Sequence, residues 1–164
     1  MKIMKPRQKN GQGPAFLNEL AEDIRTSFLE KGRLVELQKG GYLAVQGQPL
    51  KVMTVIISGD VRLSVNSHGN TVSVASLGDG DVFGEMSVID PGKASATACV
   101  VSSSAVLWNI GYEAFNELIA TDTTIGLQVM NALARTLCRK LRHDNEARLR
   151  QASEMCAHFL DQDY

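Results

Sequence analysis

The chain has 164 residues, 44% of them hydrophobic and 21% charged. That size and balance support one packed domain with an appendage and exclude a disordered polar chain. A formal net charge of −1 gives no global electrostatic case for binding nucleic acid or a membrane surface, and no apolar run approaches the roughly 20 residues that a bilayer span requires. The three cysteines, Cys99, Cys138 and Cys156, are odd in number and lack CxxC spacing. They fit free thiols in a reducing cytosol better than a disulfide framework. The basic start, Met1 to Lys9, has no apolar stretch behind it of the kind that marks a secretory leader. A cytoplasmic protein is expected.

Residues 1–13 carry Lys, Gln, Gly and Pro with little to bury, and predict a flexible arm. From Pro14 the pattern changes. Phe16, Leu17, Leu20, Ile24 and Phe28 recur at three- and four-residue spacing with acids and Arg25 between them, which predicts an amphipathic helix ending at Gly32. From Arg33 to Ile110 the period shortens to two, and glycines cut the span into short strands. Asn66-Ser67-His68-Gly69-Asn70 lies between two alternating runs and predicts a hairpin turn. Many short strands with regular turns imply a closed or two-sheet roll of jelly-roll type.

Within this span the segment Gly80-Asp81-Val82-Phe83-Gly84-Glu85-Met86-Ser87 is followed after a short gap by Ala94-Ser95-Ala96-Thr97. A strand from Thr71 to Leu77 runs into a glycine-punctuated turn, which should lead into one short helical turn beginning near Gly84. Glycine lets backbone come close to a ligand, and the free N–H groups at a helix start attract an anion such as a phosphate. Glu85 adds a carboxylate suited to accept a hydrogen bond from a sugar hydroxyl. The bland alternative is a helix-start carboxylate stabilised by the dipole and binding nothing.

After Gly111 there is no proline and one glycine, Gly126. Tyr112, Phe115, Leu118 and Ile119 predict a short helix. Leu127, Met130, Leu133, Leu137 and Leu141 then form a stripe on one long helix continuing toward Arg150, leaving residues 151–164 as a short tail. A stripe this long exceeds what a small roll covers, and a second copy of the chain is the economical partner for it. The basic group Arg135, Arg139, Lys140, Arg142, Arg148 and Arg150 reads either as a solvated face or as a docking surface for an acidic partner. His68, His143 and His158 fall in a turn, a helix and a tail, a scatter that argues against a metal site on the strands. No Ser-His-Asp or Cys-His arrangement is supported, so no enzyme and no metal are expected.

The order helix, β-roll, short helix, long helix resembles the cyclic nucleotide-binding domain of catabolite-activator-like regulators, over residues 16–148. Three segments carry the resemblance: Ile56-Ile57-Ser58-Gly59-Asp60-Val61, then Leu77-Gly78-Asp79-Gly80-Asp81-Val82-Phe83-Gly84-Glu85-Met86, and finally Ala132-Leu133-Ala134-Arg135-Thr136-Leu137. It implies an α+β, mainly β fold: a jelly-roll β-roll with an N-terminal helix and a long C-terminal dimerisation helix. The parts would be an arm over 1–13, the roll with flanking helices over 14–120, and the long helix and tail over 121–164.

The implied ligand is cAMP or cGMP, held by Phe83, Gly84, Glu85, Met86, Ala94, Ser95 and Ala96. Backbone N–H groups around Gly84, Glu85 and Met86 would face the cyclic phosphate, Glu85 would take the ribose 2′-hydroxyl, and Ser95 with the Ala96 N–H would hold the phosphate from the other side. The family's cassette ends in Arg-Ser-Ala-Thr, whereas this chain has Ala94 at the arginine position, so the cation that neutralises the phosphate is absent and binding should be weak. Lys93 is adjacent, but a neighbouring strand position points its side chain the other way. The resemblance also implies a homodimer through the long helix and an unidentified protein partner. No helix-turn-helix is expected after that helix, and so no direct DNA reading. Two functions stay open: a cyclic-nucleotide sensor, or a ligand-free module that acts through protein contacts.

Overall fold

The structure, a computed structural model, describes residues 16–160. The arm expected over 1–13 and the end of the tail, 161–164, lie outside the described residues. The chain starts with a short 3₁₀ turn, Phe16–Glu19, followed by helix α1, Glu22–Glu30. The expected single helix is therefore broken at Leu20–Ala21. The break does not disturb the apolar stripe, since Phe16, Leu17, Leu20, Ile24 and Phe28 are all buried.

Among the described residues ten strands follow: β1 Arg33–Gln38, β2 Tyr42–Ala44, β3 Pro49–Leu50, β4 Val52–Ser58, β5 Val61–Ser67, β6 Asn70–Leu77, β7 Val82–Phe83, β8 Gly92–Lys93, β9 Thr97–Val100 and β10 Ser104–Gly111. They pair antiparallel into two four-stranded sheets, ordered β1-β10-β4-β7 and β2-β9-β5-β6, with β3 and β8 forming a two-stranded ribbon. The β5–β6 hairpin turns at His68 and Gly69, both in the left-handed region that such tight turns require. This is the expected β-roll.

Alternation on β4 and β10 divides the apolar residues between two cores. Ile56, Ala105 and Leu107 point into the roll with Val61, Phe83, Ala94 and Ala98. Met53, Val55, Trp108 and Ile110 face the helices, where Phe16, Phe28, Phe115 and Leu133 meet them. Trp108 packs at a tilt against Phe28, ring centroids 4.7 Å apart, and donates its indole N–H to the Leu29 carbonyl at 3.0 Å, fixing α1 on the sheet.

Helix α2, Glu85–Ile89, is the short turn predicted at Gly84. Beyond the sheets run α3, Tyr112–Thr121, and α4, Thr123–Leu160, a helix of 38 residues that extends through most of the stretch expected to be a tail. The α4 stripe is also shared out differently from the expectation. Val129, Ala132, Leu133 and Thr136 are buried against the chain's own roll, Leu137 is half-buried, and Leu127 and Leu141 remain exposed. The roll covers more of the helix than the sequence suggested because α4 folds back over both α3 and the N-terminal turn.

Gly84 has φ of 74°, and a Cβ there would lie 2.3 Å from the Val52 carbonyl oxygen. The left-handed backbone alone costs a non-glycine residue about 1–2 kcal/mol, and the clash with backbone adds to it. Gly84→Ala should therefore lower the unfolding free energy measured in urea by at least that amount, whereas Gly69→Ala, whose Cβ meets nothing within 4 Å, should show only the backbone part.

Candidate functional site

The cassette loop is built by its own acids. Asp81 accepts from the Gly78 N–H at 2.8 Å, and Asp79 accepts from the Gly59 N–H at 3.0 Å. The Gly80 N–H donates to the Ile56 carbonyl at 2.7 Å, and the Ile56 N–H donates back to the Asp81 carbonyl at 2.9 Å. These bonds fasten the loop to β4 and deliver Val82 and Phe83 as strand β7. Gly84 then turns the chain into α2, where the Ser87 N–H donates to the Gly84 carbonyl at 3.0 Å and the N–H groups of Glu85 and Met86 lie too early in the helix for an acceptor inside it.

The facing wall is equally fixed. The Ala94 N–H donates to the Gln48 carbonyl and the Ala94 carbonyl accepts from the Gly47 N–H, each at 2.8 Å. The Thr97 hydroxyl accepts from the Gln46 N–H at 3.0 Å, so its role is to hold the strand.

Between the two walls lies a cavity of about 550 Å³. Phe83, Gly84, Glu85, Met86, Ala94, Ser95 and Ala96 all line it, so two stretches separated in sequence share one cavity. Glu85 is buried, as are Phe83, Ala94 and Ala96, while Met86 and Ser95 are exposed. Lys93, expected to point away, is also among the lining residues and is exposed.

A third wall, not expected from the sequence, comes from α4. Leu137, Lys140 and Asp144 of α4 close the cavity. The Lys140 ammonium donates to Glu85 Oε1 at 2.6 Å and to the Val82 carbonyl oxygen at 2.7 Å. The carboxylate side chain is 6% exposed and the lysine 33%. The basic group of α4 is thus not one solvated face: Lys140 enters the cavity, and Arg139 pairs with Glu19 and donates to Thr136 Oγ1. The signal was present in the spacing. Val129, Leu133, Leu137, Lys140 and Asp144 follow one another at three- and four-residue steps, so a lysine stands on the buried face where another leucine would continue it.

No group of three or more metal-ligating side chains gathers among the described residues, and no described helix is long and apolar enough to cross a membrane.

The family model described as the cyclic nucleotide-binding domain matches residues 34–122, which is 89 of the 164 residues. The chain therefore belongs to the cyclic nucleotide-binding domain family. It is 28% identical over 106 residues to a "CRP-like cAMP-activated global transcriptional regulator" of Mycobacterium tuberculosis, a match covering 64% of this chain and 47% of that one. It is 36% identical over 86 residues to a "Cyclic AMP receptor protein" of Thermus thermophilus, covering 52% of this chain and 38% of that one. The chain thus aligns with less than half the length of these relatives. In fold it matches a cyclic nucleotide-binding domain from Methylobacillus flagellatus with a TM-score of 0.78 at 20% identity, covering 83% of this chain and 80% of that one. By name the first of these relatives is a transcriptional regulator and the second a receptor.

A buried carboxylate left without its donor loses its compensation for desolvation, at about 1–3 kcal/mol. Lys140→Ala should therefore reduce stability in urea by roughly that amount. The Glu85→Ala/Lys140→Ala double variant should be less destabilised than the sum of the singles. Arg150→Ala, which removes an exposed pair with Glu146, should change stability by no more than about 0.5 kcal/mol.

Proposed function

We propose that this chain is a regulatory domain that binds cAMP or cGMP in the cavity between the cassette and α4, and passes the signal to a protein partner through that helix. One observation carries the reading: the seven cassette residues, from two separate stretches, line a single cavity closed by α4. Its volume of about 550 Å³ falls within the roughly 300–1,000 Å³ usual for small-molecule sites. In this reading the N–H groups around Gly84, Glu85 and Met86 face the cyclic phosphate, Glu85 accepts from the ribose 2′-hydroxyl, and Ser95 with the Ala96 N–H holds the phosphate from the other wall. The names of the curated relatives, one cAMP-activated and one a cyclic AMP receptor, support the ligand class. Binding is weak, because a charge-assisted hydrogen bond of about 1.5–3 kcal/mol is missing at Ala94.

The domain works as a cytoplasmic homodimer. Leu127, Ala134, Cys138 and Leu141 follow one another on α4 at steps of seven, four and three residues, and all four are exposed. A second copy of the helix covers such a seam. Leu141→Asp should therefore lower the solution mass at micromolar concentration, and an unchanged mass would contradict this interface.

A second reading has its own support. Glu85 is already satisfied by Lys140 and Ala94 is packed into the roll core, as a ligand-free interaction module would have them. Calorimetric titration with cAMP and cGMP separates the two. The sensor reading expects weak binding by the parent, loss of binding in Glu85→Ala, and a gain of roughly 10- to 100-fold in Ala94→Arg. If neither the parent nor Ala94→Arg binds, and Ala94→Arg melts lower, the ligand-free module is the correct reading.

A further inference from the structure

Two of the cavity's lining residues carry positive charge, Lys93 and Lys140. Lys93 is exposed, on the two-residue strand β8. Lys140 is anchored. An ammonium has three N–H donors, and Lys140 gives one to Glu85 and one to the Val82 carbonyl. Among the described residues the third meets no protein acceptor, although the side chain lines the cavity. The cavity therefore holds a carboxylate acceptor and an ammonium donor side by side, 2.6 Å apart. That pair is matched by a ligand presenting a hydroxyl and an anionic oxygen close together.

We propose that Lys140 is the anion-binding residue of this cavity. Its remaining N–H donates to a phosphate oxygen of the ligand, while Glu85 accepts from the ligand's hydroxyl. The cation missing at Ala94 is in this way supplied from the opposite wall, by α4. The proposal deepens the sensor reading and rests on it for the nucleotide part of the ligand. Asp90 and Asp144 also line the cavity and disfavour an anion placed beyond reach of the lysine. A ligand held this way touches the cassette and α4 at once, so occupancy is felt directly by the long helix.

The test titrates the parent, Lys93→Met and Lys140→Met with three probes: cAMP, the uncharged nucleoside adenosine, and inorganic phosphate, the last followed by thermal stabilisation. Lys140→Met should weaken cAMP binding by about 10- to 100-fold and leave adenosine within about twofold, with Lys93→Met close to the parent. Phosphate should stabilise the parent and not Lys140→Met. Equal or tighter cAMP binding by Lys140→Met would overturn the proposal, tighter binding meaning that the lysine competes with the ligand for Glu85. A parent that binds no cyclic nucleotide removes the sensor reading alone. The proposal then stands if phosphate stabilises the parent but not Lys140→Met, and falls if both or neither respond. Should Lys140→Met fail to fold, Glu85→Gln is compared with Glu85→Gln/Lys140→Met using phosphate. In that pair the ammonium is the only charge that differs, and the same two outcomes decide.

Discussion

A carboxylate taken out of water must find a donor, and Glu85, 5% exposed at the start of α2, finds it 55 residues later in the chain on α4. The rest of the site is arranged around that requirement. Gly84 turns the cassette so that Glu85 points inward, and the loop acids Asp79 and Asp81 hold that turn against β4 and the β4–β5 reversal. On the other side, Val129, Ala132 and Leu133 press α4 into the helical core. That packing fixes the register that brings Lys140 over the cassette. The helical core, the roll and the cavity are therefore joined at one ion pair.

The pair also changes how the missing arginine is understood. In the family's cassette pattern an arginine stands at this position. Here Ala94 leaves the segment between β8 and β9 neutral there and closely packed, and the positive charge beside Glu85 comes from a helix instead. A buried ion pair is weak evidence for stability as such, since desolvation offsets much of its attraction. Its placement ties a cavity wall to the long helix.

Much of the architecture was legible in the residues. Period-two alternation marked the roll, the Asn66–Asn70 segment marked its hairpin, and the apolar residues from Phe16 to Phe28 marked a buried N-terminal segment. Local patterns of this kind are set by neighbours a few positions away. The cassette residues could be grouped only through resemblance, because Gly84 and Ala94 meet across strands whose register no local pattern determines. The break at Leu20–Ala21 leaves the apolar spacing intact and so left no trace in it. By composition alone Lys140 belongs to the basic group of α4. Its individual position on the Leu133–Leu137 face, which the spacing does contain, is what assigns it to the interior. Met130, Leu133, Leu137 and Leu141 likewise read as one stripe, while the fold divides them between its own core, the cavity wall and an exposed seam.

The central claim is that the cassette and the long helix respond to one ligand as a unit. Amide hydrogen exchange of the full chain, with and without saturating cAMP, tests it most directly. The account predicts that exchange slows together in the cassette around residues 83–87 and in the α4 segment around 136–144, with α3 little changed. Protection confined to the cassette, with α4 exchanging as before, would contradict it.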